Sequence, residues 1–333
     1  MTQSNREGIG TSTIERIERP LFIVGSPRSG TGLLRNLVRS HPRISIPGES
    51  HFIPHFYESH GDPANADEAI QLGRKIVQFS RIQRWDLDLA VEEFCDCRRY
   101  SDVIALLFSK WAMTENKPRW GDKTPHYVRH IPTLVKIFPN AQVLHIIRDP
   151  RAASRSWSMH PYGPGNVYSS ASQWKNNVNA GRKAGSNLNQ DAYMEIRYEQ
   201  LLEDPATIME TVFQFLGESI PDQLDSLNPL PESILNPWRD ASKTNVVKTR
   251  ASAWREELSL SDIQLVESIT KHLMEDLEFD MSGPVQKKIP LLSQRYWKTE
   301  TYVLHYLRLL KRPKRAKDHG VLLWGKMRRL MLR

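Results

Sequence analysis

The sequence predicts an α/β fold of P-loop type, with a mostly parallel central sheet flanked by helices and a basic C-terminal extension. Three observations predict it. The apolar run Pro20 to Gly25 is closed by the turn-forming stretch GSPRSG, and Leu33, Leu34, Leu37 and Val38 follow at helical spacing. A second apolar run, Gln142 to Ile147, ends in RDPR, and a third, Tyr193 to Tyr198, precedes an amphipathic helix. Strands alternating with helices imply parallel pairing, because each crossover returns the chain to the same end of the sheet.

Taken in order, residues 1–18 are polar and read as a flexible lead. Residues 20–25 form the first strand, and His41-Pro42 ends the helix after it, since proline disfavours helical geometry in the residue before it. Ile44 to Ile46 is a second short strand with Gly48, Glu49 and Ser50 at its carboxyl end. Residues 62–115 read as inserted helices, with Ile70, Ile76, Val77, Val103, Leu106 and Leu107 on their apolar faces. Trp120 to Pro125 is expected to be a loop, followed by a helix over 126–138 that Pro139 and Asn140 end. Residues 157–192 are expected to be variable loop. Pro205 to Leu216 is an amphipathic helix stopped by Gly217, and a capping box at Ser261 to Gln264 opens a helix to about Leu277. The resulting division is a lead (1–18), one domain (19–283) and a basic, aromatic extension (284–333).

Charge is concentrated in that extension. Val285 to Arg333 hold 14 Lys and Arg against Glu300 and Asp318, a local +12 within a chain of formal charge +8, which leaves −4 for the rest. A nucleic acid wrapped around the whole domain is therefore excluded, and an anionic surface at the tail is favoured. Tyr296, Trp297, Tyr302, Tyr306 and Trp324 among the basic residues match the composition of an interfacial membrane segment. A solvated extension and a dock for an acidic partner are the alternatives. The N-terminus lacks the apolar core of a signal peptide, and no run reaches the 18 or so apolar residues of a span. Cys95 and Cys97 match neither a zinc site nor a disulfide framework. These features together predict a cytoplasmic protein with peripheral contact at the inner membrane face.

The chemistry is expected in the loop Gly25 to Thr31, between a strand and a helix N-terminus, where backbone N–H groups and the helix dipole attract an anion. The nucleoside triphosphatase loop would need lysine after Gly30, and Thr31 stands there; Arg28 supplies the charge instead. At the end of the second long strand Arg148 precedes Asp149, so an acidic magnesium position is displaced. Two cationic strand ends around an anion loop suit a phosphate-bearing donor whose transferring group carries less charge than a phosphoryl group.

Four motifs, VGSPRSGT ending at Thr31, GDKTP ending at Pro125, IRDPRA ending at Ala152 and RYEQL ending at Leu201, resemble in order and spacing the sulfotransferase superfamily that uses 3′-phosphoadenosine 5′-phosphosulfate. The stretch from Pro27 through His41-Pro42 to Glu49 is similar to the tyrosylprotein sulfotransferases and their bacterial relatives, and the likeness covers roughly residues 20–280. The resemblance implies that Arg28, Ser29, Gly30, Thr31 and Gly32 hold the 5′-phosphosulfate, and that Arg148, Ser156 and Tyr198 hold the 3′-phosphate. It implies Glu49 as general base, with His51 and His55 as competitors, and Lys123 as the cation on the leaving oxygen. Ser242 matches a late loop near the sulfate. Ala253 stands where relatives place a lysine before the tryptophan, so Arg250 is assigned to complete the 3′-phosphate site. No metal is implied. The motifs do not name the acceptor; a hydroxyl or amine on a glycan, a lipid-linked molecule or a small molecule is expected. A kinase-like phosphotransferase and a non-catalytic membrane- or partner-binding member are the rival readings.

Overall fold

The computed structural model describes residues 19–222, 251–283 and 289–310. Five strands, β1 (Leu21–Gly25), β2 (Ile44–Ser45), β3 (Arg119–Lys123), β4 (Gln142–Ile147) and β5 (Tyr193–Arg197), form one sheet in the order β2-β3-β1-β4-β5. Every pairing is parallel: Leu21 lies opposite Gly121 and Gln142, and Leu144 opposite Met194.

β1 and β4 read as unbroken apolar runs because both sheet faces are covered. Side chains alternate across the pleat. Phe22, Val24 and Val143 enter a core with α2 (Ile53–His60), α3 (Ala66–Val77), α4 (Ser80–Gln83), α5 (Tyr100–Thr114) and α6 (Ile131–Ile137). Leu21, Ile23, Leu144 and Ile146 face α1 (Thr31–Arg39), α9 (Tyr198–Glu203) and α10 (Pro205–Leu216).

The expected loop at Trp120 to Lys123 is instead the interior strand β3. Its Gly and Asp disguise it, and both have a spatial reason. A Cβ on Gly121 would stand 2.9 Å from the Leu21 carbonyl oxygen. Asp122, fully buried, accepts from Ser50 Oγ and, at 2.8 Å, from Thr124 Oγ1. The expected loop over 157–192 is also corrected. It contains α8 (Val167–Gly185), whose side chain cap Asn166 accepts from the Ser169 N–H. Ser, Asn and Gly within α8 conceal its helical period; its buried stripe includes Ser170, Asn177 and Gly181 beside Trp174 and Val178. The helix Leu260–Asp276 is capped by Ser259, which accepts from the Asp262 N–H at 3.1 Å, two residues before the expected box.

Connections from β1 and β4 leave toward opposite edges, so the loops after them open a crevice at the carboxyl ends of the strands. α7 (Pro150–Ser158) and α8 pack beside that crevice, and the helix Leu291–Leu310 rests on the start of α8. No helix among the described residues is long and apolar enough to cross a membrane.

Candidate anion-transfer site

The loop between β1 and α1 turns through two left-handed residues, Arg28 (φ 68°) and Gly30 (φ 96°). Such a conformation is uncommon for arginine and costs on the order of 1 kcal/mol or more, which the surrounding contacts must offset. Gly30 is required twice: for its backbone, and because a Cβ there would lie 2.3 Å from Tyr198 Cδ2. No side chain among the described residues caps α1, and its first turn holds no acidic residue. The N–H groups at Thr31 and Gly32 therefore face the crevice with the positive end of the dipole. Ser29 is fully buried, and its Oγ has no hydrogen-bond partner among the described residues.

Two arginines converge on this loop from different strand ends. Arg28 Nε donates to Ser156 Oγ on α7 at 3.0 Å. Arg148, at the end of β4, donates to the Arg28 carbonyl at 3.1 Å and lies 4.5 Å from the Tyr198 ring centroid. The four positions read as a phosphate cradle thus come together as a unit: Arg28, Arg148, Ser156 and Tyr198. The other arginine of the same motif is committed elsewhere. Arg151 is bound by Asp149 at 2.7 Å and Glu267 at 2.7 Å, and it lies 3.9 Å from the Trp254 ring. Asp149 also accepts from the Arg151 N–H as the cap of α7, so its carboxylate is occupied by structure.

On the other side of β1 lies a second cluster. Lys123, at the end of β3 and opposite Ile23, forms an ion pair with Glu49, and His51 Nε2 lies 2.6 Å from the same carboxylate. Burial alone would raise the Glu49 pKa, but the His51 hydrogen bond and the Lys123 charge hold it well below the usual carboxylate range. Burial lowers the His51 pKa against the pull of Glu49. His51 also has a left-handed backbone, φ 62°. The carboxylate is thus ionised beside a neutral imidazole. Lys123 is an ion-pair partner of Glu49. Of the other candidate bases, His55 faces Glu58 at 3.5 Å and the His130 ring at 5.0 Å. Ser242 and Arg250 lie outside the described residues.

Sequence reasoning missed the residues that hold the cradle from behind. Asn177, fully buried on α8, donates to Ser26 Oγ at 3.3 Å and accepts from Arg129 Nε at 2.5 Å. Trp174 Nε1 donates to the Arg148 carbonyl at 3.0 Å. Both sit one helical turn apart on the buried face of a segment whose polar composition hid it.

A parallel sheet whose strand ends offer a helix N-terminus, two arginines and a carboxylate–lysine pair defines an α/β protein with a cationic crevice at the carboxyl ends of its strands. Residues 20–222 match the Sulfotransferase family, and the chain belongs to it. It is 26% identical over 206 residues to a protein-tyrosine sulfotransferase of Drosophila melanogaster, covering 60% of this chain and 38% of that protein. The nodulation protein NoeE of Sinorhizobium fredii is 27% identical over 135 residues, covering 40% of this chain and 30% of that one. Among solved structures, the sulfotransferase domain of the Synechococcus olefin synthase matches with TM-score 0.53 and 25% identity, over 79% of this chain and 96% of that domain. The chain thus spans well under two thirds of the length of the Drosophila and Sinorhizobium relatives.

Proposed function

We propose that the chain transfers a sulfuryl group from 3′-phosphoadenosine 5′-phosphosulfate to a hydroxyl or amine, and that the acceptor is a glycan, a lipid-linked molecule or a small molecule. The observation that carries this reading is the convergence of Arg28, Arg148, Ser156 and Tyr198 on an uncapped helix N-terminus, one strand away from the Glu49–Lys123 pair. The buried, unpartnered Ser29 Oγ and the free N-terminus of α1 fit the 5′-phosphosulfate. The Arg148 fork over Tyr198 fits the 3′-phosphate.

In this mechanism the donor enters with its sulfuryl group between the two clusters. Glu49 takes the acceptor proton as the acceptor atom bonds to sulfur, while the bond from sulfur to the phosphate oxygen breaks in line and adenosine 3′,5′-bisphosphate leaves. Lys123 exchanges its ion pair with Glu49 for the leaving oxygen, where negative charge grows. That exchange frees the carboxylate from its cation at the moment it must accept a proton.

Calorimetric titration with adenosine 3′,5′-bisphosphate, against ATP with magnesium, tests the donor class. The expected result is tight, metal-independent binding of the bisphosphate that Arg148→Ala weakens by roughly 2 kcal/mol, the worth of a charged hydrogen-bonded pair. A preference for magnesium ATP, or no binding of the bisphosphate, would sink the sulfuryl reading in favour of phosphoryl transfer or a non-catalytic role.

A further inference from the structure

The helix Leu291–Leu310 has two apolar faces, and the body of the protein covers one of them. On the covered face, Trp297 stacks on Tyr168 with centroids 4.9 Å apart, Thr301 Oγ1 donates to the Pro164 carbonyl at 3.2 Å, and Leu304 lies over Gly165. Glu300, the helix's acidic residue, is turned to the same side, where Asn166 Nδ2 donates to it at 3.0 Å. At 3.6 residues per turn, positions 292, 296, 299, 303 and 307 fall within about 80° of one another on the opposite face. There Leu292 is 80% exposed, Tyr296 66% and Val303 51%, and Leu307 is exposed beside them. Arg295 borders one flank of this stripe, and Lys298 lies farther round on the same side, both exposed.

An exposed ladder of Leu, Tyr, Val and Leu on a helix that already has its packing partner is not needed to fold the domain. What it fits is set by its surroundings. The flank is cationic, the acidic residue faces inward, and beyond Leu310 the chain continues with nine Lys and Arg against the single acid Asp318. Apolar side chains that enter a surface from one face while cations line that surface are the chemistry of anionic lipid headgroups over acyl chains. A second copy of this helix would bring like charges together instead. We propose that this stripe docks the protein on an anionic lipid surface.

The consequence for the crevice is geometric. The docked helix contacts the turn at Pro164 to Asn166, which follows α7, and α7 carries the Ser156 that bonds to Arg28. Met159 and Tyr162, both exposed, lie on the stretch between. The helix that carries the stripe is thus anchored on the segment that leads from α7, at the crevice, to α8.

Co-sedimentation of the full chain with vesicles of phosphatidylcholine, with and without phosphatidylglycerol, tests this, together with light scattering in the absence of lipid. The expected result is binding to the phosphatidylglycerol vesicles that high salt reduces and that Leu292→Glu with Val303→Glu weakens about tenfold or more. Both side chains are exposed, so the double variant keeps the fold, which circular dichroism and its urea unfolding midpoint check. Binding unchanged by the double variant would assign the interaction to tail charge alone and overturn the stripe as docking face. An absence of binding, or a dimer in light scattering that the double variant dissolves, would overturn the lipid assignment.

Discussion

The side chain with most to lose from substitution is Lys123. Its side chain is 13% exposed and its ammonium is held by Glu49, so it is positioned before any donor arrives. If it acts on the leaving oxygen, its interaction strengthens as the reaction proceeds, and losing it affects turnover more than binding. Lys123→Ala should therefore lower kcat by about a hundredfold or more while bisphosphate affinity changes by less than about tenfold; equal losses would make it a ground-state ligand. Removing the cation also takes away one of the two influences that keep Glu49 ionised, so the Glu49 pKa should rise in that variant. Glu49→Gln should cost on the order of a hundredfold in kcat, whereas His55→Gln, altering a residue that faces Glu58 and His130, should leave it near wild type. Arg28, Glu49, Lys123 and Arg148 were singled out in the sequence because each stands in a short motif that resembles the sulfotransferases, and the fold brings all four to neighbouring strand ends. The ion pair between Glu49 and Lys123 was not, since the two residues lie 74 apart in the chain and spacing alone does not bring them together.

At the scale of elements, the two halves of the site are tied together by α8, the segment least visible in the sequence. β1 and β4 announce themselves through continuous apolar runs. β3 does not, because its Gly and Asp serve a close strand approach and a buried hydrogen-bond network. The same disguise covers α8, whose buried Asn177 touches both the phosphate loop through Ser26 and the turn after β3 through Arg129. Deleting that amide strands buried polar partners, at a cost of about 1–3 kcal/mol. Asn177→Ala is expected to weaken bisphosphate binding roughly tenfold while leaving the Lys123-dependent step intact, which calorimetry and kcat at saturating donor would separate. A loss confined to kcat would mean that α8 acts on the Glu49–Lys123 side instead.

For the whole molecule, acid stability depends on buried groups that titrate in opposite directions, His145 and Asp122 among them. His145, in the middle of β4, is fully buried; Tyr193 OH lies 2.6 Å from its Nδ1, and its Nε2 has no partner among the described residues. A second proton would have no acceptor, and burial lowers the pKa from 6.5 to about 3. Between those values the unfolded chain binds the extra proton, so this residue contributes stability that is lost as pH falls. Asp122 works the other way. Burial raises its pKa from 3.8 to about 6, so the folded chain binds the extra proton and acidification through that window stabilises it. Each proton difference is worth about 1.4 kcal/mol per pH unit, and over the overlap of the two windows they offset one another. Substituting either group should therefore expose the other. Asp122→Asn is expected to steepen the loss of stability between about pH 6 and 4, and His145→Gln to flatten or reverse it, both read from urea unfolding midpoints across that range. Parallel pH profiles in the two variants would mean that His145 is protonated in the folded state, and that its unpartnered nitrogen has an acceptor when the chain is in water.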